Sequence, residues 1–363
     1  MTAWSMLNIK NRYVKYFGIN LGVFAYYAGD LSIALWLASA LILILFVKHV
    51  PIWFLSYICI MVLFFSTRIF LLDAVPPEDI LRDIRFFWGF LLFLPFFISE
   101  KWKLGSRFAE YSSLYRFITT VCLILLLIEY ITANTLSLEW PNRSHELEVE
   151  LADHSFARAY GFGGNASVTS VLLIALGTIL YAGKYMRDIV TLGLATSGSG
   201  LVILLIKLTL AIKKRYMFLT MGSLVVLFFG ILGVTLNIGS TYDIGAFSKF
   251  SVTYFDYLID FKYEQYLNVM EKTNELQLIF GRDFMSSSIR TGDFQALDFL
   301  AFNGLFGAGM LILVVVKFMN KYNRVPLLCV LIASFHYQVI FSLPGQILFA
   351  WLLTVGTLGT PKK

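Results

Sequence analysis

The sequence predicts an all-α protein, a polytopic transmembrane helical bundle of about 10–12 spans. Three observations predict it. Of the 363 residues 58% are hydrophobic and only 14% are charged, which is more apolar surface than a soluble domain can bury. Apolar runs of the length of a membrane span recur along the chain. The basic residues gather in short segments between these runs.

A helix needs about 20 apolar residues to cross the hydrocarbon core of a bilayer. On this criterion spans are predicted near 13–29, 31–48, 51–70, 84–99, 114–133, 165–183, 217–238, 296–317, 325–341 and 344–359. The first run follows Lys10, Arg12 and Lys15 and is expected to be an uncleaved anchor. Without a repeat or a linker, residues 1–363 are predicted to form a single integral membrane domain.

Charge predicts the orientation. Eighteen of the 29 basic residues lie in the two termini and in segments 48–50, 100–116, 184–188, 213–216 and 317–324, accompanied by only three acids. Cytoplasmic loops of membrane proteins collect Lys and Arg, so these segments are expected inside. The net charge of +6 therefore indicates membrane loops and not nucleic-acid binding.

Residues 188–212 are long enough for one span, but Thr196-Ser-Gly-Ser-Gly200 interrupts them. The basic residues on both sides are expected inside, so the segment is predicted to go out and return, as two short helices or a re-entrant pair. A single tilted span is the alternative. Broken backbone at membrane depth survives only where protein or a water-filled cavity shields it.

Two long loops are predicted on the external side, at 134–164 and 239–295. Apolar residues in the second loop recur at helical spacing from Phe255 to Met270. This pattern predicts an amphipathic helix across about 254–279, resting on the membrane surface or at the mouth of the bundle. Simple packing and a partner-binding face are both compatible with it.

The sequence gives no sign of a cofactor or a metal site. It has no Gly-rich phosphate loop followed by Lys-Ser/Thr, and no His/Cys/carboxylate group at metal-ligand spacing. The three cysteines, Cys59, Cys122 and Cys329, all lie in apolar runs. An enzyme with this sequence would take its energy from an activated substrate, without nucleotide or metal.

The most informative segment is Arg158-Ala-Tyr-Gly161-Phe-Gly163-Gly164-Asn165, at the end of the first external loop. An arginine at the membrane interface, a Gly-rich turn and a following helix N-terminus together suit a phosphate or pyrophosphate. The alternative is a snorkelling arginine beside an ordinary helix-entry turn.

Further candidates lie near the predicted external ends of other spans. Asp298 would orient or deprotonate a sugar hydroxyl, or pair with Arg282 or Arg290. His336, inside an apolar span, is either a satisfied bundle-facing group or part of a polar cavity, and Glu129 belongs with it. Asp30 caps a short external turn, which favours a structural role.

In their order along the chain, these elements resemble the bacterial O-antigen polymerase and ligase superfamily. The matching elements are Arg158-x-x-Gly161-x-x-x-Asn165, Thr196–Gly200, Gly281-Arg-Asp-Phe, Asp298-x-x-x-x-x-Gly304-x-x-Gly307 and His336-Tyr337. They cover roughly 120–350. The chain lacks a proline after Asn165 and an arginine after the serine in Thr196–Gly200. Ligases of the superfamily usually carry a histidine at the position of Asp298, so the aspartate favours a polymerase.

The resemblance implies a GT-C-like glycosyltransferase of the bacterial inner membrane, multi-pass, with two large periplasmic loops and an active site facing the periplasm. It would join repeat units carried on undecaprenyl pyrophosphate and release undecaprenyl pyrophosphate. The catalytic candidates are then Arg158, Asp298, His336 and His154, and the substrate-binding candidates are Arg143, Gly161, Asn165, Arg282 and Arg290.

The implied partners are an undecaprenyl-pyrophosphate-linked oligosaccharide and membrane lipid, with a chain-length regulator and a flippase as candidate further partners and no nucleic acid. Two other functions stay open at this point. One is an O-antigen ligase that transfers glycan to the lipid A core. The other is a lipid-linked glycan flippase or transporter, which the absence of an internal repeat disfavours.

Overall fold

The computed structural model describes residues 14–15, 17–21, 32–47, 49–71, 84–101, 106–140, 147–148, 151, 157–180, 185–211, 252–282, 294–320 and 322–355. Throughout this part of the chain the regular structure is helical, without a β-strand. The helices are α1 (Ser32–Ile44), α2 (Ile52–Leu71), α3 (Phe90–Lys101), α4 (Ser106–Leu136), α5 (Ala166–Leu180), α6 (Met186–Ala195), α7 (Gly198–Ala211), α8 (Val252–Glu271), α9 (Glu275–Phe280), α10 (Gln295–Phe318), α11 (Arg324–Ala333) and α12 (Leu343–Thr354).

Within the described ranges, three helices are long and apolar enough to cross a membrane: Ile52–Phe70, Ser113–Leu136 and Gln295–Phe318. The predicted all-helical class is confirmed for the described residues, and these three helices are consistent with a helical membrane protein. The other apolar helices have 10–17 residues. At 1.5 Å per residue they reach about 15–25 Å, less than the hydrocarbon thickness of about 30 Å. The span count and the GT-C-like arrangement stay predictions, and the expected span 217–238 lies outside the described residues.

Helices α2 and α10 run antiparallel. Near one end Tyr57 donates a hydrogen bond to the carbonyl oxygen of Met310 at 3.2 Å. Further along, the rings of Phe64 and Phe306 stack with centroids 4.9 Å apart. The start of α2 therefore lies beside the end of α10.

The segment 188–212 forms two helices, α6 and α7, and confirms the two-helix prediction. The chain breaks at Thr196, whose φ is +41°, and then turns back. Lys207 on α7 forms an ion pair with Asp188 on α6 at 2.5 Å, with both side chains buried. Since the pair joins residues on either side of the break, α6 and α7 form a hairpin. Both helices pack on α5.

Helices α11 and α12 form a second hairpin. Asn323, fully buried, precedes α11 and donates from its side chain to the carbonyl oxygens of Leu352 and Leu353 at 3.0 and 3.2 Å. The beginning of α11 therefore meets the end of α12. The predicted span 325–341 is wrong in extent, because the helix ends at Ala333 and residues 334–342 form the hairpin turn.

The predicted amphipathic helix across 254–279 is present as α8 and α9 with a break between them. Asn274 begins α9, and its side chain accepts the amide of Gln277 at 2.8 Å. The Gln277 side chain in turn accepts the amide of Asn274 at 3.1 Å. This reciprocal pair of hydrogen bonds satisfies two amides that a helix start leaves without partners. It explains why a new helix begins at this position.

Candidate functional site

The segment 157–164 crosses from α4 to α5 and is fixed by side chains of its neighbours. The Asn134 side chain accepts the amide of Ala157 and donates to its carbonyl oxygen, both at 2.8 Å. Ala159 donates its amide to the carbonyl oxygen of Leu194 at the end of α6, at 3.0 Å. These bonds hold the residues on both sides of Arg158, so the backbone that carries the arginine has a defined course.

Glu129 on α4 is the main anchor of this segment. Its carboxylate is 1% exposed and accepts the amides of Tyr160 at 2.9 Å and Gly161 at 2.8 Å, one on each oxygen. Hydrogen bonds to a carboxylate are stronger than those between neutral groups. They also offset the cost of burying the carboxylate. Glu129 therefore has a structural reason for its position, which is to hold the turn beside Arg158.

The turn itself requires glycine at position 161. Gly161 has φ +61°, and a Cβ atom there would lie 2.7 Å from Thr169 Cγ2 and 2.8 Å from Leu126 Cδ1. The hydroxyl of Thr169 accepts the amide of Gly163 at 2.8 Å and donates to the carbonyl oxygen of Tyr160. Local strain and crowding both exclude a larger residue.

Four amides of this turn are bonded within the protein. Those of Tyr160 and Gly161 bind Glu129, that of Gly163 binds Thr169, and that of Gly164 donates to the carbonyl oxygen of Gly161 at 3.2 Å. The expectation that these amides approach a phosphate therefore gains no support from this arrangement. The guanidinium of Arg158 is the group of this segment that suits an anion.

Arg158 is half-buried. Its Nη2 atom lies 3.5 Å from the Tyr160 hydroxyl oxygen, and its Cζ atom lies 5.9 Å from the centroid of the Tyr160 ring. Contact with an aromatic face restricts the conformations of an arginine side chain. The arginine is thus partly ordered before any ligand binds.

The turn of the α6–α7 hairpin packs against this segment. The Ser197 hydroxyl lies 3.0 Å from that of Ser167, in the first turn of α5. A Cβ atom at Gly200 would lie 2.6 Å from Ser170 Oγ, so glycine allows α7 to approach α5 closely. The Thr196–Gly200 turn therefore lies beside the beginning of α5, directly after the Gly-rich turn.

Arg282 lies in a second cluster, at the start of α10. Its amide donates to the carbonyl oxygen of Ala301 at 2.8 Å. Its guanidinium donates to the carbonyl oxygen of Lys272 and lies 3.4 Å from the Thr273 hydroxyl. The side chain therefore ties the connection between α8 and α9 to the following turn, which is a structural function.

Arg68 belongs to the same cluster and was missed by sequence reasoning. It is fully buried on α2 and donates to the carbonyl oxygen of Arg282 at 2.6 Å. Its guanidinium carbon lies 5.7 Å from the ring centroids of both Phe64 and Phe65. An arginine within an apolar span is a signal in itself, because a charge there must face the bundle interior.

The turn that carries His336 contacts the beginning of α10, the helix whose first turn contains Asp298. Asp298 is buried in the first turn of that helix. The amide of Gln295 donates to the carbonyl oxygen of His336 at 3.4 Å, and the amide of Ala296 to that of Phe335 at 3.2 Å. The prediction that His336 lies inside a span is wrong. It lies in the turn of the α11–α12 hairpin, which places its backbone at the start of α10.

A small apolar pocket lies between the Gly-rich turn and the first turn of α12. Phe162 from the Gly-rich turn and Pro344 from the first turn of α12 both line it, with Tyr115 and Leu173. Since α12 follows directly on the turn that carries His336, the Gly-rich turn and the start of α10 lie toward the same end of the bundle.

Three predicted site residues, Arg143, His154 and Arg290, lie outside the described residues. Asn165 accepts the amide of Ser167 at 2.8 Å, which helps to begin α5. Within the described ranges no three His, Cys, Asp or Glu side chains form a group that would hold a metal ion.

Comparison with protein-family models, with curated proteins and with solved structures gives no match to this chain.

Proposed function

We propose that this chain is a polysaccharide polymerase of the O-antigen type, a membrane glycosyltransferase that works at the periplasmic face of the bacterial inner membrane. It joins repeat units carried on undecaprenyl pyrophosphate. The donor is a growing glycan on this carrier, and the acceptor is the free sugar end of another carrier-linked unit. Undecaprenyl pyrophosphate is released.

The proposal rests on the hydrogen bonds that fix the backbone on both sides of Arg158. Asn134, Glu129 and Leu194 fix the backbone on both sides of it. The guanidinium remains half-buried against Tyr160. A positioned arginine in a site of low dielectric stabilises charge as it develops on a departing diphosphate. A snorkelling arginine would not require such a scaffold, so this arrangement favours anion binding.

In the proposed reaction, a hydroxyl oxygen of the acceptor forms a bond to the anomeric carbon of the donor. The bond from that carbon to the pyrophosphate oxygen breaks, and the electron pair leaves with the diphosphate. Arg158 stabilises this charge. The proton of the attacking hydroxyl passes to a base, for which buried Asp298 and half-buried His336 are the candidates among the described residues.

The test replaces Arg158 by alanine and examines lipopolysaccharide in a strain that lacks the native gene. We expect lipid A core carrying a single repeat unit, with protein level and membrane insertion unchanged. Arg158→Lys should restore part of the chain length, because a lysine supplies the charge without the bidentate geometry. Arg324→Ala is the matched control, since Arg324 is exposed beside the hairpin end that contains Asn323.

Other outcomes of the same experiment contradict the proposal. Full-length polysaccharide from Arg158→Ala would reject the function of this arginine. A null strain without any repeat unit on the lipid A core would indicate a ligase. Carrier-linked units that accumulate on the cytoplasmic face would indicate a flippase.

A further inference from the structure

Helix α8 has three distinct faces, and one of them is held by the bundle. Val269 is 2% exposed and packs against Leu297 and Ala301 of α10. Lys262, on the same side of α8, places its Nζ atom 5.4 Å from the centroid of the Phe294 ring. Residues 262 and 269 are two helical turns apart and therefore share a face. Through this face α8 is docked beside the start of α10.

A second face is apolar and uncovered. Ile259, Tyr263 and Tyr266 follow the spacing i, i+4, i+7 and form one stripe, which we call the apolar stripe. Their exposed fractions are 61%, 60% and 42%. An isolated exposed apolar residue is ordinary on a protein surface, but three large ones in a line mark an interaction surface.

The third face is polar. Glu264, Asn268 and Glu271 lie on the side of α8 opposite the apolar stripe, and all three are exposed. The stripe adjoins the core-facing side, since Tyr266 lies three residues from Val269, but its side chains remain exposed, so packing against α10 does not explain it. A helix with this division lies at a boundary between an apolar and an aqueous medium.

The surroundings of α8 identify the apolar medium. In α9, the next helix, Leu276 and Ile279 are also exposed, at 51% and 44%. The ring of Phe280 lies 6.4 Å from that of Phe306, and Leu305 beside it is 55% exposed on α10. Since α10 is one of the helices that can cross a membrane, this exposed apolar surface continues from a membrane-spanning helix onto α9.

We propose that α8 and α9 form an interfacial element that inserts the apolar stripe into the headgroup region of the same membrane. Tyrosine suits this position because its ring is apolar and its hydroxyl remains hydrated. The element anchors the connection that leads to Arg282 at a constant depth. The proposal concerns a lipid surface and holds whether or not the chain is a polymerase.

The experiment uses the full chain in lipid nanodiscs after replacement of Cys59, Cys122 and Cys329. Single cysteines at positions 259 and 263 are labelled with an environment-sensitive fluorophore. Matched labels at 264 and 268 on the polar face are the controls. Quenching is measured with lipids spin-labelled near the headgroup, with lipids spin-labelled deep in the acyl chain, and with aqueous iodide. Each variant is first checked for an unchanged thermal unfolding temperature.

Labels at 259 and 263 should lie about 5–10 Å into the boundary between headgroups and acyl chains. Shallow spin labels should therefore quench them strongly and iodide weakly, with the reverse at 264 and 268. Equal quenching by iodide at all four positions would overturn the proposal. So would a label at 263 that is protected from iodide only after purified polysaccharide is added, because the stripe would then bind glycan and not lipid.

Discussion

The buried ion pair between Asp188 and Lys207 allows a quantitative test of the α6–α7 hairpin. Removing one member of a buried pair costs about 3–5 kcal/mol, because the other charge remains without compensation in a medium of low dielectric. Their side chains are only 3% and 4% exposed and are 2.5 Å apart. Lys207→Met should therefore lower the free energy of unfolding by an amount in this range.

The companion substitution is Asp188→Asn, which keeps the shape of the side chain. Shape matters here, since Asp188 Oδ1 lies 2.8 Å from the position of a Cβ atom at Gly177. The double variant should lose less stability than the sum of the two single variants, because it leaves no isolated charge. Thermal unfolding in detergent, followed by tryptophan fluorescence, measures all four proteins. An additive double variant would refute the argument that the two charges depend on each other.

Two further predictions concern the scaffold beside Arg158. Glu129→Gln should lower the free energy of unfolding by about 1–3 kcal/mol, because the glutamine side chain turns an N–H donor toward one of the two backbone amides that the carboxylate accepts. The same unfolding assay measures this loss, and an unchanged midpoint would contradict the structural function of Glu129. Gly161→Ala should reduce the yield of monodisperse protein in fluorescence-detected gel filtration. Gly193→Ala is its matched control, since a Cβ atom there meets nothing within 4 Å, and equal yields from both variants would exclude a special turn at position 161.

Much of the architecture follows from local features of the sequence. The hairpin at 188–212 was predictable because basic residues flank both ends and a Gly/Ser run marks the turn. The break between α8 and α9 carries an equally local signal, Asn274 followed three residues later by Gln277. The extent of the span at 325–341 was wrong because hydropathy counts apolar residues and does not show where a helix ends.

The site was predictable only in part. Arg158 and Asn165 stand in a motif that the sequence displays directly. The functions of Glu129 and Arg68 depend on partners far away along the chain: Glu129 binds amides about 30 residues later, and Arg68 binds the carbonyl oxygen of Arg282. A span that contains one acid or one arginine shows that a partner is needed, but the partner is known only once the helices are packed.

The hydrogen bonds of Asn323 have a consequence for how the protein is made. Helices α11 and α12 have 10 and 12 residues, so neither is long enough to be inserted by the translocon as an independent segment. The Asn323 side chain, which precedes α11, donates to carbonyl oxygens in the last turn of α12. The two helices therefore stabilise each other only when both have emerged from the ribosome. We expect this hairpin to enter the membrane as one unit, into a space that the preceding helices have already formed.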